Sequence, residues 1–410
     1  MNILFIHEVD WLNKLVFDIH SLSESLSLLG HQVYAIDYEN TWARSSFYDL
    51  GTMKMRQIEE VCRAIPGTSV CLRRPGFIKI PGLSRLSAGI THYLGIRKTI
   101  KEKAIDAIVL YSVPTNGLQT IHLARKFNIP IVFRSIDILN QLVPFPVLRP
   151  ITRLLEKKVY SEADLILSLT PKLSDYVIEK GAEKARVKLL PMPVDTALFH
   201  SSIDSTEIRQ KWGFNEKDQV ILFMGTLFSF SGLDTFIPRF TEVMEQVPQA
   251  KLLIVGDGPQ RSELEGLIAG LGLRKRVIIT GFQPYGSMPK YINLAALCIN
   301  TFLTTSATRD IFPGKTVQFL ACGKVFISTA LPGMLAMIRG EQQGVVYVSD
   351  ANEMAREVVS LLKSTERRQK LERNGLNYVL QIHGYEKIGR QLEANLIEII
   401  REKRNSESPK

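Results

Sequence analysis

Residues 1–37 read MNILFIHEVDWLNKLVFDIHSLSESLSLLGHQVYAID. The apolar run MNILFIH is followed by amphipathic VFDIHSLSESLSLLG and then by a second apolar run, HQVYAID, with Gly30 and His31 closing the middle stretch. That order reads as strand, helix, strand. The alternation continues through AIDAIVLYS (104–112), LQTIHLARKFN (118–128), IPIVFRSID (129–137), a helix in PITRLLEKKVYSEA (150–163), DLILSLT (164–170), PKLSDYVIEKGA (171–182) and RVKLLPMPVD (186–195). Strands separated by helices imply an α/β fold with a parallel, doubly wound sheet.

A polar connecting stretch, 191–219, interrupts the pattern, which then starts again. VILFMGT (220–226), a helix from Gly232 to about Val247, KLLIVGDGP (251–259), RSELEGLIAGLG (261–272), RVIITG (276–281), SMPKYINLA (287–295), ALCINTF (296–302) and VFISTA (325–330) repeat it. A length of 410 residues suits two such cores. The expected organisation is two Rossmann-like domains, 1–200 and 201–385. A final helix and polar tail, 386–410, are expected to pack back toward the first. Ligands of open parallel sheets lie at the carboxyl ends of the strands. Two such domains facing each other would form a cleft.

With 45% hydrophobic and 22% charged residues, the composition is that of a globular chain. No apolar run approaches the ~18 to 20 residues of a membrane span, and the start lacks the basic region of a signal peptide, so a cytoplasmic protein is expected. Cys62, Cys71, Cys298 and Cys322 form no CxxC pair and have no His at ligand spacing, so neither a disulfide framework nor a bound metal is expected. Nor is a nucleic-acid partner. The net charge of +10 is concentrated between Arg63 and Lys103, where nine basic residues face one acid, Glu102. Interleaved apolar residues there suit a surface leaning on anionic lipid; a solvated basic face is the alternative.

Two turns have glycines placed for phosphate contact. Gly225 follows the strand in VILFMGTLFSFSGLD and Gly232 opens a helix; Gly256 and Gly258 flank Asp257 in KLLIVGDGPQ. Backbone amides and a helix N-terminus there would favour an anion. Ordinary tight turns, with Ser231 and Asp234 as a capping box, are the structural alternative. Neither turn is the GxGxxG of a nicotinamide dehydrogenase.

In order and spacing, FMGTL…SGLD, KLLIVGDGPQRSELEGLIAGLGLRKRVIITGF, MPKYINLAALCINTF and VQFLACGKVFIST resemble the donor half of GT-B glycosyltransferases, in particular family 4. LLPMPVDTALFH is similar to that family's interdomain segment. The resemblance covers 187 to about 350 and implies a metal-independent, retaining transfer of a sugar from a nucleotide-diphosphate donor, with no cofactor. The donor would lie on the second domain and a glycan or lipid-linked acceptor on the first, at the inner membrane face. As the sugar leaves, charge builds on the diphosphate, and fixed donors and cations must meet it.

Laid on the family's Glu-x7-Glu signature, RDIFPGKTVQFLACG puts Asp310 at the first acid and Gln318 at the second. An amide can still hold ribose hydroxyls through its oxygen and NH2. The family's Arg and Lys in the first glycine turn are replaced by Thr226 and Ser231. Lys315 is the candidate replacement: it lies beside Gly314 at a helix start and three residues before Gln318. A lysine snorkelling to the surface is the alternative. Arg309 is a second cation, and Phe282 falls in the loop that touches the base in the family.

In the first domain, His7, Glu8, Asp10, Trp11 and Asn13 cluster after strand one, in a loop lacking the family's glycines. An aromatic face with carboxylates suits an acceptor sugar; a capped loop with a core-facing Trp is the alternative. Asp137 and Arg134 follow another strand in VFRSID, with Ile136 at the family's His position. Asp310, Lys315 and Asp137 are the candidate catalytic residues. The departures leave two other readings open: a degenerate binding or scaffold protein, and a sugar-nucleotide epimerase.

Overall fold

The first apolar run forms β1 (Asn2–Ile6), which sends Ile3 and Phe5 to one face of a sheet and Leu4 and Ile6 to the other. All four are fully buried, as expected of a parallel strand covered on both sides. The computed structural model describes residues 1–13, 16–39, 49–80, 82–141, 143 and 146–405. Lys14 and Leu15 of the first loop, Pro81 of the basic stretch and the tail from 406 lie outside the described residues.

The chain divides into two compact units, Met1–Pro193 with Tyr385–Lys410, and Val194–Gly384. In the first, the described residues form an eight-stranded sheet. Its strands are β1, β2 (Gln32–Ile36), β3 (Arg56–Val61), β4 (Val70–Arg74), β5 (Ala107–Leu110), β6 (Ile131–Ser135), β7 (Leu165–Ser168) and β8 (Val187–Leu189), in the order β3-β4-β2-β1-β5-β6-β7-β8. Phe5 is flanked by Ala35 and Val109 in parallel register. Only β3 runs antiparallel, along β4 at the edge. This pair escapes the sequence pattern because RQIEEV is polar and largely exposed while VCLRR ends in two arginines.

Helices Ser84–Lys103, Gly117–Lys126, Arg149–Glu162 and Pro171–Glu179 cover one face, contributing Ile96, Ile121, Val159 and Val177 to its core. The other face is covered by Asp18–Leu28 and by the last helix, Tyr385–Asn405, through Ile388, Leu392, Leu396, Ile399 and Ile400. A Cβ on Gly389 would meet Ser25 Cβ at 2.8 Å, so the absent side chain lets the two helices cross closely. Glu393 and Glu398 of this helix pair with His31 and Lys188.

The second unit holds β9 (Gln219–Met224), β10 (Ala250–Val255), β11 (Val277–Ile279), β12 (Leu297–Asn300), β13 (Phe326–Thr329) and β14 (Val345–Val348). Their order is β11-β10-β9-β12-β13-β14, parallel throughout.

Candidate functional site

Gly225 follows β9 at φ 147° and Gly256 follows β10 at φ 152°. A Cβ on Gly256 would lie 1.9 Å from Gly225 O, and one on Gly258 would lie 2.6 Å from Leu227 N. These glycines let neighbouring loops touch backbone to backbone. Gly225 N donates to Val255 O and Gly256 N to Gly281 O, so two of the amides expected to cradle phosphate are already committed. Gly232 caps helix Leu233–Gln246 in the left-handed region, where a Cβ would meet Thr301 O at 2.0 Å.

Ser231 corrects the expectation of a diphosphate contact. It is fully buried, its hydroxyl donates to Gln260, and its carbonyl accepts from Thr301. It makes no capping box with Asp234, since Gly232 stands at the N-cap. Thr226 is partly exposed, and the Phe282 side chain is 63% exposed.

Lys315 does not snorkel. The side chain is buried, with Nζ 4.1 Å from the ring centre of Phe223 and 4.2 Å from that of Phe302. The same Nζ is 3.6 Å from where a Cβ on Gly225 would stand, at the carboxyl end of β9. Among the described residues it has no hydrogen-bond partner. Removal from water pushes this amine down to about 7, and Cys298 opposes the shift. Each ring face supplies about 2 kcal/mol once desolvated. The stripped hydration of an ammonium is worth more. An anion beside Nζ would restore what burial removes.

The segment around this lysine is held at several points. Gly333 N donates to Arg309 O, and a Cβ on Gly333 would lie 2.4 Å from the carbonyl of Asp310. Phe312 stacks on His383 at 6.0 Å with rings 3° from parallel. Gly314 caps helix Lys315–Ala321, and Gln318 is partly exposed on its next turn. Asp310 is partly exposed, 3.5 Å from the mostly exposed guanidinium of Arg309. A cavity of about 540 Å³ opens nearby, lined by Thr235, Arg239, Phe302, Thr304, Thr329 and Asn352 among others. Of the residues around Lys315 only Phe302 lines it.

In the first unit the structure separates the loop residues that the sequence groups together. Trp11 is 2% exposed and packs in the core against the ring of His20, so it offers no face to a sugar. Asp10 is buried, paired with Arg74 and accepting from the Leu12 and Asn13 amides; these contacts hold its carboxyl down at about 2 against the burial that raises it. Arg134, 1% exposed, pairs with Asp18 and donates to Leu190 O. These three are interior, which corrects their assignment to an acceptor surface. Glu8 accepts from the Thr115 and Asn116 amides, tying the loop after β1 to the loop after β5.

His7 and Asp137 remain at the carboxyl ends of β1 and β6. His7 lies 5.5 Å from the rings of Phe17 and Tyr111. Asp137 is partly exposed, and burial of its carboxyl, with the charge of Asp18 adding, pushes it up to about 6. The basic stretch 63–103 is not one surface. Arg73 and Arg74 are buried in pairs with Glu102 and Asp37, Arg63 donates to Trp11 O, and Lys79 pairs with Asp49. Sequence reasoning missed Phe223 and Phe302, which box Lys315, because both read as ordinary strand residues.

Among the described residues no group of three or more His, Cys, Asp or Glu side chains is placed to hold a metal ion. No described helix is long and apolar enough to cross a membrane.

Two parallel-sheet α/β domains, with candidate groups at strand carboxyl ends, define the GT-B class. Residues 204–378 match the family model for glycosyl transferases group 1, and residues 18–193 match the glycosyl transferase 4-like domain. The chain belongs to these glycosyltransferases. It is 29% identical over 153 residues to alpha-D-kanosaminyltransferase of Streptomyces kanamyceticus, covering 37% of this chain and 39% of that one. It is 25% identical over 266 residues to D-inositol 3-phosphate glycosyltransferase of Segniliparus rotundus, covering 63% and 57%. The chain thus spans about half the length of the curated relatives it matches. The fold is similar to sucrose-phosphate synthase from Thermosynechococcus elongatus, with TM-score 0.75, 18% identity and coverage of 98% and 99%. It is also similar to Anabaena HepE in complex with UDP-glucose, with TM-score 0.72, 18% identity and coverage of 97% and 100%.

Proposed function

We propose that the protein transfers a sugar, with retention and without a metal ion or cofactor, from a nucleoside-diphosphate donor to a glycan or lipid-linked acceptor at the cytoplasmic face of a membrane. The observation that carries this reading is the Lys315 Nζ, buried beside Gly225 with no hydrogen-bond partner among the described residues. An amine kept out of water destabilises a fold in its protonated form unless an anion returns to it.

When the bond from the anomeric carbon to the diphosphate oxygen breaks, negative charge grows on the departing phosphate. In this reading the Lys315 ammonium neutralises that charge, with Arg309 as a second cation. Gln318, one turn on, is offered to the ribose hydroxyls and Asp310 to the donor sugar. With retention, the acceptor hydroxyl joins on the side that the diphosphate leaves, and its proton passes to the departing phosphate oxygen. Asp137, whose carboxyl is pushed up to about 6 and is still mostly ionised at neutral pH, is the first unit's candidate for orienting that hydroxyl.

A second reading, a binding protein that keeps the fold without turnover, is favoured by Gln318 in place of an acid and by the buried Ser231. A thermal-shift panel of nucleoside diphosphates, followed by product analysis with a labelled donor, separates the two. The proposal expects stabilisation by one class of diphosphate and a glycosylated product, both lost in Lys315→Ala. Binding without product would establish the second reading.

A further inference from the structure

Three helices of the first unit cover the same face of its sheet, each following a strand of a parallel set, so all start at the strands' carboxyl end. On Ser84–Lys103 the positions Leu83, Leu86, Ile90 and Leu94 are 48, 68, 59 and 51% exposed. Their spacing of three, four and four residues keeps them on one outward stripe. The stripe is then continued by Arg97 and Lys101. Arg149–Glu162 repeats this order. Val147 (79%), Ile151 (56%) and Leu154 (69%) stand out at its start, and exposed Lys157 and Lys158 follow. On Gly117–Lys126, packed between them, Leu118 is exposed at the start and Arg125 and Lys126 at the end.

The described residues of the unit leave these large apolar side chains exposed, and a row of them is costly in water. Across the three helices eleven basic residues stand against three acids. Of those acids Glu156 is buried, and Glu162 is paired with Arg125 and Lys158.

We infer that this helical layer docks the protein on an anionic lipid bilayer. The apolar helix starts enter the boundary between headgroups and acyl chains, and the basic halves lie over lipid phosphates. The surface differs from the 63–103 stretch expected from charge alone, because Arg63, Arg73, Arg74 and Lys79 of that stretch are used internally. Two of its three helices, Gly117–Lys126 and Arg149–Glu162, lie outside the stretch that the charge count singles out. The strands' carboxyl ends would then face the lipid, where a lipid-linked acceptor emerges. The inference deepens the acceptor side of the proposed function, but vesicle binding needs no transfer reaction. Failure of one is therefore distinguishable from failure of the other.

The test is flotation of the full chain with vesicles of phosphatidylcholine alone or mixed with phosphatidylglycerol, at low and high salt. The expected result is co-flotation with anionic vesicles only, weakened by salt. Leu86→Ser with Leu154→Ser, and separately Arg97→Gln with Lys157→Gln, are each expected to weaken binding ~10-fold or more, with unchanged circular dichroism and unchanged nucleoside-diphosphate binding. Equal binding to both vesicle types, or binding indifferent to both double variants, would overturn the inference. So would wild-type dimers that the Leu86→Ser, Leu154→Ser variant abolishes in sedimentation velocity, since a second copy would then be the occupant.

Discussion

Lys315 is the residue at which stability and proposed function oppose each other. Its amine is shifted from the ordinary 10.5 to about 7 by burial. In the unfolded chain it holds its proton up to ordinary lysine pH, so between about 7 and 10 the unfolded state binds more protons than the folded one. The contribution of this group to stability therefore rises with pH across that window and is least favourable below it. Lys315→Met is expected to stabilise the unliganded protein at pH 6 by roughly 2 to 4 kcal/mol, measured by urea denaturation, while removing nucleoside-diphosphate binding. Diphosphate binding should hold the proton on Nζ. Affinity is accordingly predicted to fall as pH rises above about 7, with proton uptake visible in calorimetry in buffers of different ionisation enthalpy. Affinity flat from pH 6.5 to 8.5, with no proton uptake, would remove Lys315 from the diphosphate. The sequence made this lysine conspicuous because a cation opens a helix. Its depth was not legible, since only the fold brings Phe223, Phe302 and Gly225 around it.

At the scale of elements, the glycine turns after β9 and β10 are where sequence pattern and physical cause diverge. Gly225, Gly256 and Gly258 stand where a phosphate-binding family would have glycines, yet Gly256 and Gly258 are each required by a backbone neighbour and Gly225 by its φ of 147°. Gly256→Ala would force a Cβ into the carbonyl of Gly225 and is expected to cost roughly 2 to 4 kcal/mol whether or not nucleotide is present, read from the urea midpoint. A loss of nucleotide affinity with an unchanged midpoint would return these glycines to phosphate binding. The loop after β1 shows the same divergence in the other direction. Trp11 and Asp10 read as a sugar-binding pair but are absorbed by the core and by Arg74. Long-range ion pairs such as Arg74 with Asp37 and Arg134 with Asp18 leave no trace in local sequence, so buried arginines were counted as surface charge. Strands built from unbroken apolar runs were legible, whereas the charged edge pair β3 and β4 was not.

For the whole molecule, the last helix belongs to the first unit although the entire second unit separates them in sequence. Truncation after Gly384 would strip Ile388, Leu392, Leu396, Ile399 and Ile400 from the first unit's core. Five aliphatic side chains at ~1.5 to 3 kcal/mol each amount to about as much as a whole domain's stability. The truncated chain is expected to be insoluble, or to lose the first unit's unfolding transition in calorimetry while the second unit's transition persists. The two-domain alternation was readable from the sequence because apolar runs of strand length recur on both sides of one polar connector. Which strand carboxyl ends carry chemistry depends on contacts among distant loops. The most direct test of the central claim is isothermal titration of the full chain with a panel of nucleoside diphosphates, paired with Lys315→Ala. The account predicts a preferred diphosphate whose affinity falls at least ~30-fold in the variant while the fold is retained. Equal affinity in wild type and variant, or no binding of any nucleoside diphosphate to the wild type, would contradict it.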